Sequence, residues 1–418
     1  MKKKYLIGIL IICIIAIIIS LAIFIPKYKK YKEEKILEER IKNAIIKVEL
    51  NEDLNIPFNT KKKASELIKS INGEIIKDVD INTLKVGKQE VEITYINEED
   101  LTLPYKFDVN IVDIKAPIIW LSGSYTVNVG YPYDQMMEAI MCGDDYDPTP
   151  KCELIGDYDL NKVGNYKLKF SATDSSGNNT TKDFTLIVRE PPKGGGGGST
   201  YTPPKYTELD YIRSLFPDKE VKLGIDISAW QGDVDFQAIK DAGIEFVFLR
   251  VGSNKDNDTV SMPDNFLDSK FERNIKGFNE IGIPVGIYFF SYAGNEETAI
   301  RDAEWVLEQI KDYKIDLPIA YDWENWGKGF NQYHKSMYEI THVGEVFLDK
   351  MTEAGYKGIL YGSINALKNF WQPIDYPIWV AHYTDQADYS QYDYWQIASN
   401  GRVPGVKGYC DVDVMYVK

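Results

Sequence analysis

Two carboxylic acids stand two residues apart at the end of an apolar segment in the C-terminal half of the chain. Asp322 and Glu324 follow the apolar residues 317–320, and residues i and i+2 of a β-strand point to the same face of its sheet. Repulsion and loss of hydration would raise the pKa of one carboxyl above that of the other. A protonated acid beside an ionised carboxylate is the pair that cleaves a glycosidic bond. Because Asp-x-Glu also occurs in solvated acidic loops, the surrounding pattern must decide.

Further polar and aromatic side chains stand where other short apolar segments end. They are Asp226, Arg250, Tyr288, Tyr361, Trp379, Tyr383 and Trp395. Asp411 begins the last such segment. Aromatic rings of this kind stack on sugar rings, so the set predicts an acidic cleft with an aromatic sugar platform.

The elements that must position these residues alternate between strand and helix from residue 221 onward. Apolar segments typical of buried parallel strands are separated by stretches with apolar residues at three- and four-residue steps, which indicate helices. Five strand–helix units followed by three strands predict a modified α/β barrel of the (β/α)5(β)3 type over residues 221–418. Barrel active sites lie at the carboxyl ends of the strands, which is where the candidate residues stand.

Composition excludes several other classes of function. The 418 residues include 63 acidic and 48 basic side chains, and a net charge of -15 does not suit nucleic-acid binding. The three histidines, His334, His342 and His382, lack the spacing of metal ligands, so no metal or cofactor is expected. A thiol nucleophile at Cys410 is disfavoured because the neighbouring aspartate would raise its pKa.

The N-terminus carries about 20 consecutive uncharged residues, which is the length that a membrane-spanning helix needs. No small-x-small cleavage site follows, so the sequence predicts a signal anchor that is not removed. The predicted segments are a stub (1–4), a transmembrane helix (5–26) and a juxtamembrane segment (27–45). Lysines flank both ends, so charge alone does not orient the anchor.

The middle of the chain is a weak repeat with a spacing of 77 residues. Lys-Val-Gly occurs at 85–87 and at 162–164, and each copy is followed by the period-two alternation of a half-buried strand. These segments resemble two bacterial immunoglobulin-like domains, at 46–115 and 116–190, acting as a stalk or as a weak wall-glycan binder. Cys142 and Cys152 either form a disulfide or remain free thiols. A Gly- and Pro-rich linker is predicted at 191–220.

The C-terminal domain resembles the lysozymes of glycoside hydrolase family 25, which are N-acetylmuramidases. The resemblance lies in seven motifs in the family's order: Gly224-Ile-Asp-Ile-Ser-Ala-Trp-Gln231, Phe248-Leu-Arg-Val251, Gly286-Ile-Tyr288, Tyr321-Asp-Trp-Glu324, Trp379-Val-Ala381, Tyr394-Trp-Gln396 and Gly401-Arg-Val-Pro-Gly405 with Asp411. The third strand reads Tyr288-Phe-Phe290 where many relatives have Tyr-His-Phe.

This resemblance implies cleavage of the β-1,4 bond between N-acetylmuramic acid and N-acetylglucosamine in peptidoglycan. Glu324 would be the general acid, and Asp322 would stabilise the oxocarbenium-like charge, either through the substrate's acetamido group or as a nucleophile. Asp226 and Asp411 would line the cleft, and Asp411 is preferred to Asp413 as the match to the family's aspartate. The alternative is a non-catalytic peptidoglycan-binding protein on a lysozyme-like barrel. Because a muramidase must reach the wall, the predicted topology is a single-pass protein of the cell membrane with its N-terminus in the cytoplasm and its C-terminal domain outside.

Overall fold

The computed structural model describes residues 2–120, 124–139, 141–191, 205–254, 265–324 and 334–417. Side chains of the first helix are described from Ile19 onward. Residues 192–204 of the predicted Gly- and Pro-rich linker (191–220) lie outside the described residues. The described chain divides into two compact units, 1–114 and 115–418.

The predicted transmembrane anchor is wrong. Residues Lys2–Lys42 form one helix, α1, which does not end at Pro26 but continues through a segment rich in lysine and glutamate. In the part of the chain that the structure describes, no helix combines the length and apolar character needed to cross a membrane. The prediction of a single-pass membrane protein is corrected with it.

The rest of the first unit is built of short strands and one long hairpin. Its elements are β1 (Val48–Leu50), β2 (Asn55–Pro57), a 3-10 helix (Ala64–Leu67), β3 (Ile68–Ile71), β4 (Gly73–Lys77), β5 (Gly87–Asn97) and β6 (Thr102–Val112). Four strands form one sheet in the order β2-β6-β5-β4, and β1 pairs with β3. Alternate residues of β5 are buried, including Val91, Ile93 and Tyr95, as period-two alternation predicts.

The second unit begins with another small set of strands. The strands are β7 (Ile118–Trp120), β8 (Ser124–Asn128), β9 (Met141–Gly143), β10 (Lys151–Ile155), β11 (Gly164–Thr173) and β12 (Asn179–Arg189), and the helix α2 (Tyr133–Ala139) lies between β8 and β9. The sheet order is β10-β11-β12-β8, with β7 paired to β9. Cys142 and Cys152 form a disulfide with a Cα–Cα distance of 6.3 Å.

The two small sheets share one topology. In each, a long antiparallel hairpin (β5–β6 and β11–β12) is flanked by an antiparallel strand on one side and by a parallel strand on the other, β2 beside β6 and β8 beside β12. Gly87 pairs with Ile111 in the first hairpin, and Gly164 pairs with Val188 in the second. Both pairs are related by the 77-residue spacing of the sequence, so the repeat extends to strand register.

A barrel occupies the rest of the second unit. Its elements are β13 (Thr207–Glu208), α3 (Leu209–Ser214), β14 (Val221–Ile227), a 3-10 helix (Ala229–Gln231), α4 (Phe236–Asp241), β15 (Phe246–Ser253), β16 (Phe266–Leu267), α5 (Phe271–Ile281), β17 (Val285–Phe290), α6 (Glu296–Ile310), β18 (Ile319–Asp322), α7 (Met337–Glu353), β19 (Gly358–Ser363), α8 (Ile364–Asn369), β20 (Ile378–Ala381), β21 (Tyr394–Arg402) and β22 (Cys410–Tyr416).

The sheet closes on itself through its last strand. Strands β14, β15, β17, β18, β19, β20 and β21 are parallel neighbours in that order, and β22 pairs antiparallel with both β21 and β14. Helices follow the first five strands and none lies between the last three, as the sequence predicts for residues 221–418. Because β22 runs in the opposite direction, its first residues lie beside the carboxyl end of β14.

The barrel begins earlier than predicted. Residues 205–220 are part of the expected linker, yet β13 pairs with β21 and the side chains of Leu209 and Ile212 are buried in the barrel's main apolar core. Their apolar character is visible in the sequence, but their contact with a strand about 190 residues away is not.

Strand alternation divides the barrel side chains into an inner and an outer layer. The inner layer contains a compact cluster with Phe246, Phe248, Ala320, Ile359 and Trp379, while the larger outer layer packs strands against helices. The inner cluster fills the barrel axis below the carboxyl ends of the strands, so polar side chains at those ends rest on a closed apolar floor.

Candidate active site at the barrel mouth

The Asp-x-Glu pair lies at the mouth of the barrel. Asp322 is the last residue of β18 and is 4% exposed, whereas Glu324 stands just beyond the strand and is exposed to solvent. Burial raises the pKa of Asp322 well above its usual range, and the charge of Glu324 raises it further. Burial also raises the pKa of Glu324, although the Tyr361 hydroxyl partly opposes this by hydrogen bonding to its carboxylate.

A hydrogen-bonded network joins the strands on the other side of the mouth. Gln396 donates from Nε2 to Asp226 Oδ2 at 2.7 Å. Its Oε1 accepts from the hydroxyls of Tyr361 at 3.0 Å and Tyr383 at 2.8 Å. Tyr361 also hydrogen-bonds to Glu324. The Gln396 amide therefore connects the Asp226 carboxyl to Tyr361, the hydrogen-bond partner of Glu324.

Asp411 and Asp413 both face the cleft from β22, at different depths. Asp411 is partly exposed and pairs across the sheet with Asp226. Asp413 is fully buried, and its Oδ1 accepts from Trp379 Nε1 at 2.8 Å. Burial raises the pKa of Asp411 to about 7 and raises that of Asp413 well above its usual range. Of the two candidates for the terminal aspartate, Asp413 is therefore the one held by a hydrogen bond from the barrel floor.

Asp226 is buried among the other carboxyl groups of the cleft. It is 6% exposed, and burial is the main reason that its pKa is raised, followed by the charges of Asp411 and Asp413. Gln396 opposes the rise by hydrogen bonding to the carboxylate. Carboxyl groups this close cannot all ionise together, so the cleft retains protons at neutral pH.

Arg250 supplies positive charge beneath the carboxyl groups. Its Nε and Nη2 each lie 2.8 Å from Asp268 Oδ2, which also accepts from the backbone N–H of Ala229. The guanidinium lowers the pKa of Asp322, against the larger effect of burial. Asp268, which the sequence did not single out, thus fixes the cation that favours an ionised Asp322.

The predicted sugar platform divides into rings at the mouth and rings below or outside it. Tyr383 is 54% exposed at the mouth, and Tyr361 is buried beside Glu324. Trp379 lies beneath them, stacked on Phe248 at 4.4 Å, and Tyr288 touches it edge-on at 6.2 Å.

Trp395 points to the outer layer. It is 1% exposed, donates from Nε1 to the carbonyl of His382 and packs on Phe216. The structure therefore brings nine of the ten predicted side chains to the mouth or to the floor beneath it, and places Trp395 elsewhere.

Two side chains of the site, one aromatic and one amide, were not predicted from the sequence. Trp230, in the short helix after β14, is 85% exposed, and only its place in the first motif signals it. Gln396 follows Trp395 in the sequence, and strand alternation alone would have turned one of them inward. Which of Trp395 and Gln396 faces the interior could be decided only from the position of β22.

The arrangement can transfer a proton and stabilise positive charge. Glu324 is accessible and holds a raised pKa, while Asp322 lies behind it next to Arg250. Donors from Gln396 and Trp379 already occupy one oxygen each of Asp226 and Asp413. These contacts suit acid-assisted cleavage of a bond to a sugar carbon, in which one carboxyl donates a proton and another faces the developing cation.

Comparisons with known proteins agree with this chemistry. Residues 225–406 match glycosyl hydrolases family 25, and residues 121–188 match the bacterial surface protein Ig-like domain. The chain is 27% identical over 195 residues to the autolytic lysozyme of Clostridium acetobutylicum, covering 46% of this chain and 54% of that protein. It is 25% identical over 204 residues to lysozyme M1 of Streptomyces globisporus, covering 46% and 65%. It thus spans between half and two thirds of these relatives.

A family 25 glycosyl hydrolase from Bacillus anthracis is a similar solved structure, with 22% identity, a TM-score of 0.41 and coverage of 53% of this chain and 96% of that one. The family matches rest on the sequence, and they fall on the barrel and on the second small sheet. Residues 225–406 therefore resemble glycosyl hydrolases family 25, a family of glycoside-cleaving enzymes, and residues 121–188 resemble the bacterial surface protein Ig-like domain.

Proposed function

We propose that this protein is a lysozyme that hydrolyses the β-1,4 bond between N-acetylmuramic acid and N-acetylglucosamine in peptidoglycan, for remodelling or local opening of the wall. The observation that carries the proposal is the pair of carboxyls at the barrel mouth, with Glu324 exposed and Asp322 buried behind it beside Arg250. The lysozymes that the barrel resembles support the choice of substrate.

In this proposal Glu324 donates its proton to the leaving glycosidic oxygen. Burial keeps that proton on Glu324 to a higher pH than in water, which suits a general acid. Asp322 faces the sugar carbon and stabilises its positive charge, with Arg250 favouring the ionised carboxylate. Asp226 and Asp411 bind and orient the sugar from the opposite wall, with Asp413 holding the floor.

We also propose that the aromatic side chains at the mouth hold the glycan. Tyr383 is the most exposed of the predicted rings, and Trp230 adds a second exposed ring beside the first strand. Residues 46–115 are proposed as a second Ig-like domain, since their sheet has the topology and register of the matched one.

The test compares wild type with Glu324→Gln on purified peptidoglycan, measuring release of reducing ends. The amide keeps the size of the side chain but has no proton to donate, so we expect cleavage to fall at least about a hundredfold. The matched control is Glu339→Gln, which changes a carboxyl in the first turn of α7 that caps its own helix.

Equal release by wild type and Glu324→Gln would reject Glu324 as the acid. If neither releases reducing ends yet both sediment with walls, the protein is a peptidoglycan-binding module and not an enzyme.

A further inference from the structure

A cavity beside the general acid is closed on one side by the Ig-like domain. Its volume is about 450 Å³, within the range of sites for small ligands. The barrel side of its lining contains Trp323, Glu324, Tyr361 and the residues 363–366 and 381–383. The remaining lining residue is Trp120, the last residue of β7, which pairs with β9 in a two-stranded sheet that precedes the barrel.

Trp120 is held against the barrel by aromatic contacts. Its ring centroid lies 6.1 Å from that of Phe370 in an edge-to-face arrangement. Phe370 is fully buried and lies 4.6 Å from Trp323, the residue between the two carboxyls of the active site. Ile118, two residues earlier on β7, also packs against the barrel core. Trp120 is half-buried, so these contacts leave part of its ring to the cavity.

Backbone hydrogen bonds fix the same domain on the barrel. The N–H groups of Met337 and Tyr338 donate to the carbonyls of Asp144 at 2.8 Å and Asp145 at 3.3 Å. N–H groups in the first turn of a helix have no partner within the helix, so the Ig-like domain satisfies two donors at the start of α7. Directional bonds of this kind define the orientation in which Trp120 meets the cavity.

The chemistry of the lining matches one ring of a glycan strand. Trp120 offers an apolar aromatic surface, whereas Tyr383, His382 and Asn365 place hydroxyl, imidazole and amide groups around the same space. A pyranose ring has an apolar face of C–H groups and a rim of hydroxyl and acetamido groups, so it complements this combination.

We propose that Trp120 forms the aromatic wall of a sugar-binding subsite next to Glu324, so that the Ig-like domain completes the substrate cleft of the barrel. The ligand is an N-acetylated pyranose ring of the glycan strand. The identity of that ligand rests on the proposed function, since Glu324 must meet the bond to be cleaved. In this proposal the Ig-like domain takes part in substrate binding through β7 and is not only a spacer.

The test separates sugar binding from attachment of the two domains. The full chain carrying Glu324→Gln is titrated calorimetrically with a soluble tetrasaccharide of alternating N-acetylglucosamine and N-acetylmuramic acid. Trp120→Ala is expected to weaken binding about tenfold, the size of one aromatic stacking contact. Trp120→Phe keeps an aromatic face, so its affinity for the tetrasaccharide should stay within about threefold of that of the parent, which is the full chain carrying Glu324→Gln alone.

Ile118→Ala is the matched control, because Ile118 packs on the barrel core without lining the cavity. It should loosen the contact between the domains, measured as faster cleavage by an added protease between 190 and 205, but keep tetrasaccharide affinity within about twofold. Equal losses of affinity in Ile118→Ala and Trp120→Ala would show that Trp120 serves only to attach the domains. Unchanged affinity in Trp120→Ala would overturn the subsite directly.

The proposed function can fail separately. If the wild type cleaves no peptidoglycan but the parent still binds the tetrasaccharide through Trp120, hydrolysis is rejected and the subsite stands. If the wild type cleaves peptidoglycan and Trp120→Ala binds normally, the subsite alone is rejected. Absence of binding by the parent counts against both.

Discussion

Replacing Asp411 by asparagine should stabilise the barrel, and more so as the pH rises. Asp411 has a pKa of about 7 in the folded protein, chiefly because burial disfavours its charge and secondarily because Glu324 repels it. An aspartate in an unfolded chain titrates near about 4. Between these two pH values the folded state binds more protons than the unfolded state, so the stability of the wild type falls as the pH rises.

The size of this effect follows from the two pKa values. Raising the pKa from about 4 to about 7 corresponds to about 4 kcal/mol of stability lost between pH 4 and pH 8. This is an upper limit, since Glu324 loses its own proton over part of the range and shares the interaction. Asparagine has a similar shape and does not ionise. The gain of Asp411→Asn over wild type should therefore grow from near zero at pH 4 toward this limit at pH 8.

Urea unfolding followed by tryptophan fluorescence measures the gain, because seven of the eight tryptophans lie after residue 205. Asp388→Asn is the control. Asp388 is exposed, and its hydrogen bond with Lys368 lowers its pKa, so that substitution should give no gain at pH 8. A difference between Asp411→Asn and wild type that is the same at pH 4, 6 and 8 would refute the reasoning.

Two further substitutions test the network around Gln396. Tyr361→Phe removes a hydrogen bond that favours ionised Glu324, so the pKa of the acid should rise and the alkaline limb of the kcat/KM profile should move to higher pH. Tyr383→Phe should leave that limb in place, and equal shifts in both variants would contradict the assignment. Gln396→Leu removes the donor to Asp226 and the acceptor of two tyrosines, so the barrel should lose about 2 kcal/mol in the same urea assay. The loss should be larger at pH 8 than at pH 4, because the pKa of Asp226 rises further; a loss independent of pH would count against this.

The parts of the site that follow from local sequence were predictable. Asp322 and Glu324 are neighbours in the chain, and their place at a strand end follows from the apolar segment before them. The order of five strand–helix units and three strands also follows from local periodicity. These inferences needed no knowledge of which strands meet.

The parts that depend on depth or on distant contacts were not predictable. Asp411 and Asp413 lie on the same face of β22, so alternation cannot rank them, and only pairing with β14 and β21 buries one more deeply. Trp379 and Trp395 are each the second residue of a strand, β20 and β21, but one fills the interior and the other faces outward. Trp120 is about 200 residues from Glu324 in the chain, and the role proposed for it depends on how two domains pack.

The N-terminal helix shows a different limit. An apolar segment of suitable length predicted a membrane span, whereas no helix among the described residues is long and apolar enough to cross a membrane. The helix Lys2–Lys42 joins the apolar residues to a segment rich in lysine and glutamate.

The position of β22 also constrains when the cleft can exist during synthesis. This strand follows all the others in the chain, yet it pairs with β14, the first strand of the closed barrel, and carries Asp411 and Asp413. Until β22 has left the ribosome, β14 presents an unpaired edge, β21 is paired on that side only at its end by β13, and the cleft lacks two of its carboxyls. A nascent chain therefore cannot assemble the complete cleft, and strand order delays its completion until translation of the barrel is almost finished.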